Sequence, residues 1–168
     1  GKVNIGRARG FIPEGSSRQM TEKRFIETMR EICDIAGQYN VEMILEPVNR
    51  YEINFINSVD EGAAILEQVG RTNCGLQPDV FHMNIEDDDI GKSLMRNKKW
   101  IRYVHLADSN RYAPGMGHID FQGVFDALRM ADYDGWVSVE ILPGEDPDKM
   151  AKTSIQYLKP LIQQYNKS

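Results

Sequence analysis

The stretch VEMILEPVN, residues 41–49, decides the fold of this chain. Its short apolar run predicts a buried strand over Val41–Glu46 that ends on a charged glutamate. Similar runs recur along the chain, and each is followed by residues with the apolar spacing of a helix. These further strands are predicted at Lys2–Gly6, Cys74–Asp79, Ile101–Leu106 and Trp136–Ile141. The sequence therefore predicts an α/β protein with five successive βα units.

The predicted helices carry their own start and stop signals. In Thr21–Tyr39, apolar residues recur at three- and four-residue spacing, which predicts one buried face. The second helix is predicted to begin at Ser58, with Glu61 completing a capping box, and to end at Gly70. Pro160 is expected to kink or end the last helix. The remaining helices are predicted near Asp88–Asn97, from Asp120 and from Asp146.

Successive βα units imply parallel strands joined by right-handed crossovers. Two architectures have this pattern: an open doubly wound sheet, and a segment of a closed barrel. Neither GxGxxG nor GxxxxGK[ST] follows the first predicted strand. The phosphate-binding motifs that are typical of an open sheet are therefore missing at the expected position.

Potential metal ligands lie at or next to the carboxyl ends of four successive predicted strands: Glu46, Asp79, His105 and Glu140. Their average spacing is about 31 residues, the length of one unit in a barrel of about 250 residues. One acidic residue at a strand end is ordinarily a helix cap or a solvated loop group. Three carboxylates and one imidazole at this period would leave the carboxylates as mutually repelling buried charges unless a cation joins them. The pattern predicts a barrel segment with a divalent-metal site suited to Mn²⁺, Mg²⁺ or Co²⁺.

The net charge of −5 argues against a nucleic-acid partner, because phosphate backbones are repelled by an acidic surface. The sequence has no apolar run near the roughly 18 residues of a membrane span, so we expect no membrane partner. Cys33 and Cys74 lack CxxC spacing and are expected to be buried free thiols, as in a cytoplasmic protein.

Longer motifs connect these ligands to a known family. LEPVNRYE (residues 45–52), DVFHMNIE (79–86) and HLADSNR (105–111) are followed in order by PGMGHID (114–120) and by Val139-Glu140. Together they resemble the sugar 3-epimerase branch of the xylose isomerase-like TIM-barrel superfamily, which includes the tagatose and psicose (allulose) 3-epimerases. The similarity runs through most of the chain.

The resemblance implies a role for each matching residue. Glu46 and Glu140 match the two catalytic acid/base residues, and the substrate is expected to be a ketose. Residues that hold the substrate oxygens near C1 to C3 are matched by Glu52, His82 and Arg111. The implied metal ligands are Glu46, Asp79, His105 and Glu140, with one Mn²⁺ as the expected cofactor and Mg²⁺ or Co²⁺ as alternatives.

The chemistry of C3 epimerisation fits this set of residues. A proton next to a ketone is removed through a cis-enediolate and returned to the opposite face. A divalent cation stabilises the developing charge, and two carboxylates alternate as base and acid. Isomerisation between C1 and C2 would use the same metal with proton transfer on one face, so the residues alone leave epimerase and isomerase open.

Several residues have plainer alternatives. His82 alone would be a hydrogen-bonded loop histidine, and Arg111 could simply pair with Asp108 or Glu52. Structural roles are expected of His118 and Asp120, in their loop and at the next helix start, and of Trp100 and Trp136, in packing.

Members of this family usually contain eight βα units, and the present sequence resembles strands four to eight. We therefore expect residues 1–168 to form one domain, a partial (β/α)₈ TIM barrel. A truncated barrel of this kind has two open sheet edges, which another copy of the chain is expected to cover in a homo-oligomer, and it could be inactive as it stands.

Other activities remain open at this stage. A sugar or keto-acid isomerase, or an inositol-derivative dehydratase, of the same superfamily would share the metal site. A zinc-dependent DNA-repair endonuclease on the same barrel is disfavoured by the net charge and by the presence of only 3 histidines. A non-catalytic structural fragment is the remaining alternative.

Overall fold

The computed structural model describes residues 1–165, in which short parallel strands alternate with helices. The strands are β1 (Lys2–Ile5), β2 (Glu42–Leu45), β3 (Cys74–Leu76), β4 (Tyr103–Leu106) and β5 (Trp136–Val139). β1, β2 and β3 form one parallel sheet, and β4 and β5 form another. Isolated parallel bridges from Leu76 to Ile101 and from Asp79 to His105 join the two sheets. The strands therefore lie side by side in chain order, as the alternating pattern predicted.

The helices lie between and after these strands. They are α1 (Arg18–Gly37), α2 (Val59–Val69), α3 (Val80–Glu86), α4 (Ile90–Arg96), α5 (Phe121–Met130) and α6 (Pro147–Tyr165), with a 3₁₀ turn at Arg7–Arg9. Contacts connect α1 with α2, α2 with α4, α4 with α5 and α5 with α6. The helices α1, α2, α4, α5 and α6 thus pack in a row, as expected for helices that line the outside of a parallel sheet.

Side-chain caps set most of the helix starts. Ser58 Oγ accepts a hydrogen bond from the Glu61 amide at the start of α2, as predicted. The Glu61 carboxylate, however, accepts from the amide of Asn57 instead of Ser58. α1 begins at Arg18, earlier than predicted, because Ser17 Oγ accepts from the Met20 amide.

Helix α3 was not predicted. The strand expected to run to Asp79 ends at Leu76, and Asp79 instead caps α3 through a hydrogen bond from the Phe81 amide. Seven residues are too few to show a helical period in the sequence. His82 therefore lies in a helix and not in a loop.

Three further expectations need correction. Tyr39 is 73% exposed because α1 ends at Gly37 and does not carry its apolar face that far. Trp136, expected in packing, is also 73% exposed, because it lies on β5 at the outer side of the sheet order. Of the two outcomes predicted for Pro160, an end of the helix is wrong, because α6 continues to Tyr165, and a kink stays a prediction.

The hydrophobic core lies between the strands and the helices packed on them. It includes Met29 and Cys33 of α1, Leu66 of α2 and Leu128 of α5. Cys33 and Cys74 are buried free thiols, as the sequence predicted. This packing fixes the strands so that their carboxyl ends meet at one edge of the sheet.

Candidate metal and substrate site

The predicted ligands converge past the carboxyl ends of four strands. Glu46 follows β2, Asp79 bridges to the strand that contains His105, and Glu140 follows β5. One ligand atom from each of these four side chains lies within 4.8 Å of the others. The expectation that residues distant in sequence meet at this edge is therefore confirmed.

The donor set fits a divalent cation. Glu46 Oε1 and Asp79 Oδ2 are buried and have no hydrogen-bond partner. His105 Nδ1 lies 3.5 Å from Glu46 Oε1 and 3.5 Å from Glu140 Oε2, so the imidazole stands between two carboxylates. Buried carboxylate oxygens without a donor are costly, and a cation at their centre would remove that cost. Oxygen ligands with one imidazole suit Mn²⁺ or Mg²⁺ better than a thiolate-seeking ion.

The pKa values of these groups respond to burial and to each other. Burial raises the pKa of Asp79 to about 7. Burial alone would lower the pKa of His105, but the carboxylates of Glu140 and Glu46 outweigh it and raise the pKa to about 10. The hydrogen bond to His105 lowers the pKa of Glu140 to about 2. The cluster thus attracts positive charge, which a proton on His105 or a bound cation can supply.

Neighbouring residues hold the ligands in place. Asn4 Nδ2 donates to Glu46 Oε2 at 3.0 Å, and Gln77 Nε2 lies 3.1 Å from His105 Nδ1. A Cβ at Gly6 would lie 3.0 Å from Glu46 Oε2, so a glycine leaves room for this carboxylate. Arg9 donates to the backbone carbonyl of Glu46 at 2.7 Å. None of these supporting residues was predicted from the sequence, although each lies within a few residues of a strand end.

The expected substrate residues surround the same point. Arg111 Nη2 donates to Glu140 Oε2 at 2.9 Å, and Nη1 lies 3.7 Å from Glu52 Oε1 and 3.3 Å from His82 Nε2. The guanidinium also stacks 4.7 Å from the centre of the Phe81 ring. Arg111 therefore does pair with Glu52, as the plainer alternative expected, and in addition it contacts the ligand cluster. With Asp108 it makes only a backbone hydrogen bond.

The loop that carries Arg111 is organised by a buried carboxylate. Asp108 accepts hydrogen bonds from the amides of Ser109, Gly115 and Ile119. Burial would raise the pKa of Asp108, but these backbone donors keep it below its usual value. His118 Nδ1 lies 2.9 Å from Ser109 Oγ, which confirms the expected role of His118 in fixing this loop.

These groups line an open cleft with a volume of about 730 Å³. This is within the range of small-molecule sites. Both signs of charge are present along its wall, and three of the four residues of the ligand cluster, Glu46, His105 and Glu140, line it. The cleft is lined by Lys2, Asn4, Arg7, Glu46, Glu52, Gln77, His82, Tyr103, His105, Arg111 and Glu140, among others.

Parallel strands with charged side chains gathered past their carboxyl ends are typical of α/β proteins, including the α/β barrels. The chain belongs to the xylose isomerase-like TIM barrel family, whose sequence model matches residues 3–161. The fold class predicted from the sequence is thereby confirmed, whereas its division into the last five of eight units stays a prediction. Among the described residues, no helix is both long and apolar enough to cross a membrane.

The chain is similar to several proteins that are named as sugar epimerases. The chain is 36% identical over 147 residues to an L-ribulose 3-epimerase of Methylomonas sp. (strain DH-1), covering 87% of this chain and 51% of that protein. It is 31% identical over 138 residues to a 3-dehydro-D-guloside 4-epimerase of Escherichia coli (strain K12), covering 82% and 53%. A solved structure of an L-ribulose 3-epimerase superposes with a TM-score of 0.91 at 28% identity, covering 99% of this chain and 62% of that one. The chain thus spans about half the length of the curated relatives it matches.

Proposed function

We propose that this chain carries the metal-binding and proton-transfer residues of a divalent-metal-dependent ketose 3-epimerase. The observation that carries the proposal is the convergence of three carboxylates and one imidazole within 4.8 Å, with two buried carboxylate oxygens lacking a donor. The relatives support the reaction class, because those compared above are named as sugar epimerases.

Glu46, Asp79, His105 and Glu140 would hold one divalent ion, with Mn²⁺ as the proposed metal. When bound, such a cation would polarise the ketone of the substrate and offset the negative charge of a cis-enediolate. The residues of the chain supply the proton transfers. Glu46 and Glu140 each lie 3.5 Å from His105 Nδ1, and they are proposed to act on opposite faces of the reacting carbon.

The proposed transfer balances in protons and charge. One glutamate, ionised at the start, takes the proton from C3. The other glutamate, protonated at the start, gives its proton to the opposite face of C3, so the two exchange protonation states. Glu52, His82 and Arg111 are proposed to hold the oxygens of the sugar, since they face the same cleft as the ligands.

Incubation with a panel of ketoses in D₂O tests the proposal. After removal of metal with a chelator and addition of Mn²⁺, we expect C3 epimers that carry deuterium at C3. Glu46→Gln and Glu140→Gln should each reduce the rate by about 100-fold or more, since each lacks one proton-transfer group. Glu145→Gln, the same change at an exposed glutamate further along the chain, is the matched control and should retain the rate.

A C1–C2 isomer as the main product would assign the site to an isomerase instead. Absence of turnover by a chain that binds Mn²⁺ would favour a non-catalytic role for this chain. A second candidate, epimerisation at C4 of a 3-keto sugar, is favoured by the similarity to the Escherichia coli 4-epimerase. Both reactions move a proton on the carbon next to a ketone, and deuterium at C4 instead of C3 distinguishes them.

The extent of the barrel is part of the proposal. The units are proposed to correspond to strands four to eight of a full barrel, which the partial coverage of the relatives supports. Within residues 1–165, β1 and β5 each pair with one strand only, and Val3 and Trp136 on them are exposed. Another copy of the chain is proposed to cover these edges. Light scattering across a concentration series tests this: a monomer at every concentration contradicts it.

A further inference from the structure

Asn49 is a buried amide between two of the residues assigned to the substrate. Its side chain is almost inaccessible, with 2% of the residue exposed. Asn49 Nδ2 lies 3.0 Å from Glu52 Oε1 and 2.8 Å from His82 Nδ1. It is neither a metal ligand nor a cleft residue, so its position calls for another explanation.

The orientation of the Asn49 amide is fixed by two partners, one of which can only donate a hydrogen bond and the other only accept one. Its Oδ1 accepts a hydrogen bond from the backbone amide of Tyr51 at 3.0 Å, and a backbone amide can only donate. Its Nδ2 faces the carboxylate of Glu52, which when ionised can only accept. The atom that Asn49 presents to His82 is therefore an N–H donor.

This orientation determines which nitrogen of His82 carries the hydrogen. Because Nδ1 faces a donor, it must be the unprotonated acceptor of the ring, and the hydrogen of the neutral imidazole lies on Nε2. Burial, with the nearby positive charge of Arg111, lowers the pKa of His82 to about 4, so the ring is neutral near pH 7. His82 Nε2 lies 3.3 Å from Arg111 Nη1, another donor.

With the hydrogen on His82 Nε2, the two N–H groups of His82 and Arg111 face each other and cannot form a hydrogen bond. An oxygen that reaches both would accept a hydrogen bond from each, and His82 and Arg111 both line the open cleft. The reverse tautomer would place two N–H groups against each other at the buried Asn49 contact, where solvent has almost no access. The contact of His82 Nδ1 with Asn49 therefore determines that Nε2 carries the hydrogen and acts as a donor toward the cleft.

We propose that Asn49 is a positioning residue that fixes His82 as the Nε2–H tautomer, so that His82 and Arg111 together present two donors to one oxygen of the bound sugar. The identity of that oxygen rests on the proposed function, whereas the tautomer of His82 does not. The same Asn49 amide also contacts Glu52. One buried side chain therefore positions both a hydrogen-bond donor, His82, and an acceptor, Glu52, that are proposed to contact the substrate.

Nitrogen NMR of chain labelled with ¹⁵N-histidine tests the tautomer directly, since the chain contains only 3 histidines. His82→Gln assigns the signals. We expect wild-type His82 at pH 7 to show a protonated Nε2 and an unprotonated Nδ1. Asn49→Asp, which replaces the donor by an acceptor, should move the hydrogen to Nδ1, and Asn49→Ala should give a mixture of tautomers.

Asn57→Ala is the matched control. Asn57 donates to the carbonyls of Val48 and Ile53 and so holds the same loop, but it does not touch His82. This variant should keep the wild-type tautomer. A protonated Nδ1 in the wild type overturns the proposal without any variant, and so does an unchanged tautomer in folded Asn49→Asp and Asn49→Ala.

Kinetics separates positioning from loss of the metal site. Asn49→Ala should raise KM for the ketose by about tenfold while its affinity for Mn²⁺ stays within about twofold of the wild type. An equal rise in KM in Asn57→Ala would assign the effect to the loop and contradict the proposal. Failure of the wild-type chain to epimerise any ketose would end the proposed function but leave the tautomer measurement intact.

Discussion

Arg9 Nη1 donates a 2.7 Å hydrogen bond to the backbone carbonyl of Glu46. The same guanidinium donates to the carbonyls of Gly6, Phe55 and Ile56 at 2.7–2.8 Å. One cation thus joins the turn after β1 to the loop that carries Glu46 and Glu52. Burial lowers the pKa of Arg9 to about 10, so the side chain is still charged at neutral pH.

Arg9→Ala should therefore destabilise the fold and loosen the ligand cluster. Four backbone carbonyls lose a charged donor, which we expect to lower the free energy of unfolding by about 3–5 kcal/mol. Urea unfolding of the metal-free chain measures this. Arg7→Ala is the control, because Arg7 is exposed and has one contact with Glu52 at 3.4 Å. Equal losses of stability in the two variants would show that Arg9 has no special role.

Asp79→Asn should change metal binding and metal-free stability in opposite directions. The variant keeps the oxygen that caps α3 but removes a buried charge next to Glu46. Its affinity for Mn²⁺ should fall at least about tenfold. Without metal, its unfolding free energy should rise by about 1–2 kcal/mol, or its Tm by roughly 3–6 °C.

Calorimetric titration and thermal melts with and without chelator provide both readings for Asp79→Asn. Asp120→Asn is the control, because Asp120 caps α5 in the same way but lies outside the cluster. It should leave Mn²⁺ affinity unchanged. A metal-free Asp79→Asn chain that is less stable than the wild type would argue against a preformed cation site.

Arg111 has a backbone φ of 60°, in the left-handed region that disfavours side chains with a Cβ. Arg111→Gly and Arg111→Ala both remove the guanidinium, so both should weaken substrate binding equally. They differ in backbone freedom, and the glycine variant should unfold with a free energy about 1 kcal/mol higher than that of the alanine variant. Paired urea melts test this, and an alanine variant of equal or greater stability would mean that no strain is held at Arg111.

The elements that could be predicted from the sequence are those with a regular spacing of apolar or charged residues. Strand positions followed from apolar runs, and Glu46, Asp79, His105 and Glu140 followed from one charged residue at each strand end. A parallel sheet brings such residues together whatever the details of its loops. The convergence of these ligands within 4.8 Å also needs the sheet to curve as in a barrel, because in a flat sheet the ends of β2 and β5 would lie more than about 10 Å apart.

The remaining features could not be predicted, because they depend on contacts between residues that are distant in the sequence. Helix α3 is short, and Asp79 serves both as its cap and as a potential ligand. The buried amide of Asn49 and the φ of Arg111 depend on loops from different parts of the chain meeting at one point. Trp136 illustrates the converse, because its exposure follows from the edge position of β5 and not from its residue type.

The stability of the chain should also depend on pH through Asp87, which is not a member of the ligand cluster. Burial raises the pKa of Asp87 from 3.8 to about 6, while Ser93 Oγ donates a hydrogen bond to it. The folded state therefore binds a proton that the unfolded state releases between about pH 4 and pH 6. Stability from this group is highest below pH 4 and falls as the pH rises through that window.

Asp87→Asn should remove this penalty, because the amide keeps the oxygen that faces Ser93 and carries no charge. Above pH 6 the variant should be more stable than the wild type by about 2 kcal/mol, and the difference should shrink toward zero near pH 4. Asp88→Asn is the control, for which a change of stability in the opposite direction is expected. Asp88 is exposed and pairs with Arg96 at 3.0 Å, and this pairing lowers the pKa of Asp88. Loss of the Asp88 charge should therefore slightly destabilise the chain at neutral pH. Urea unfolding at pH 4, 5, 6 and 7 measures both differences, and a pH-independent effect of Asp87→Asn would show that its carboxyl is ionised equally in the folded and unfolded states.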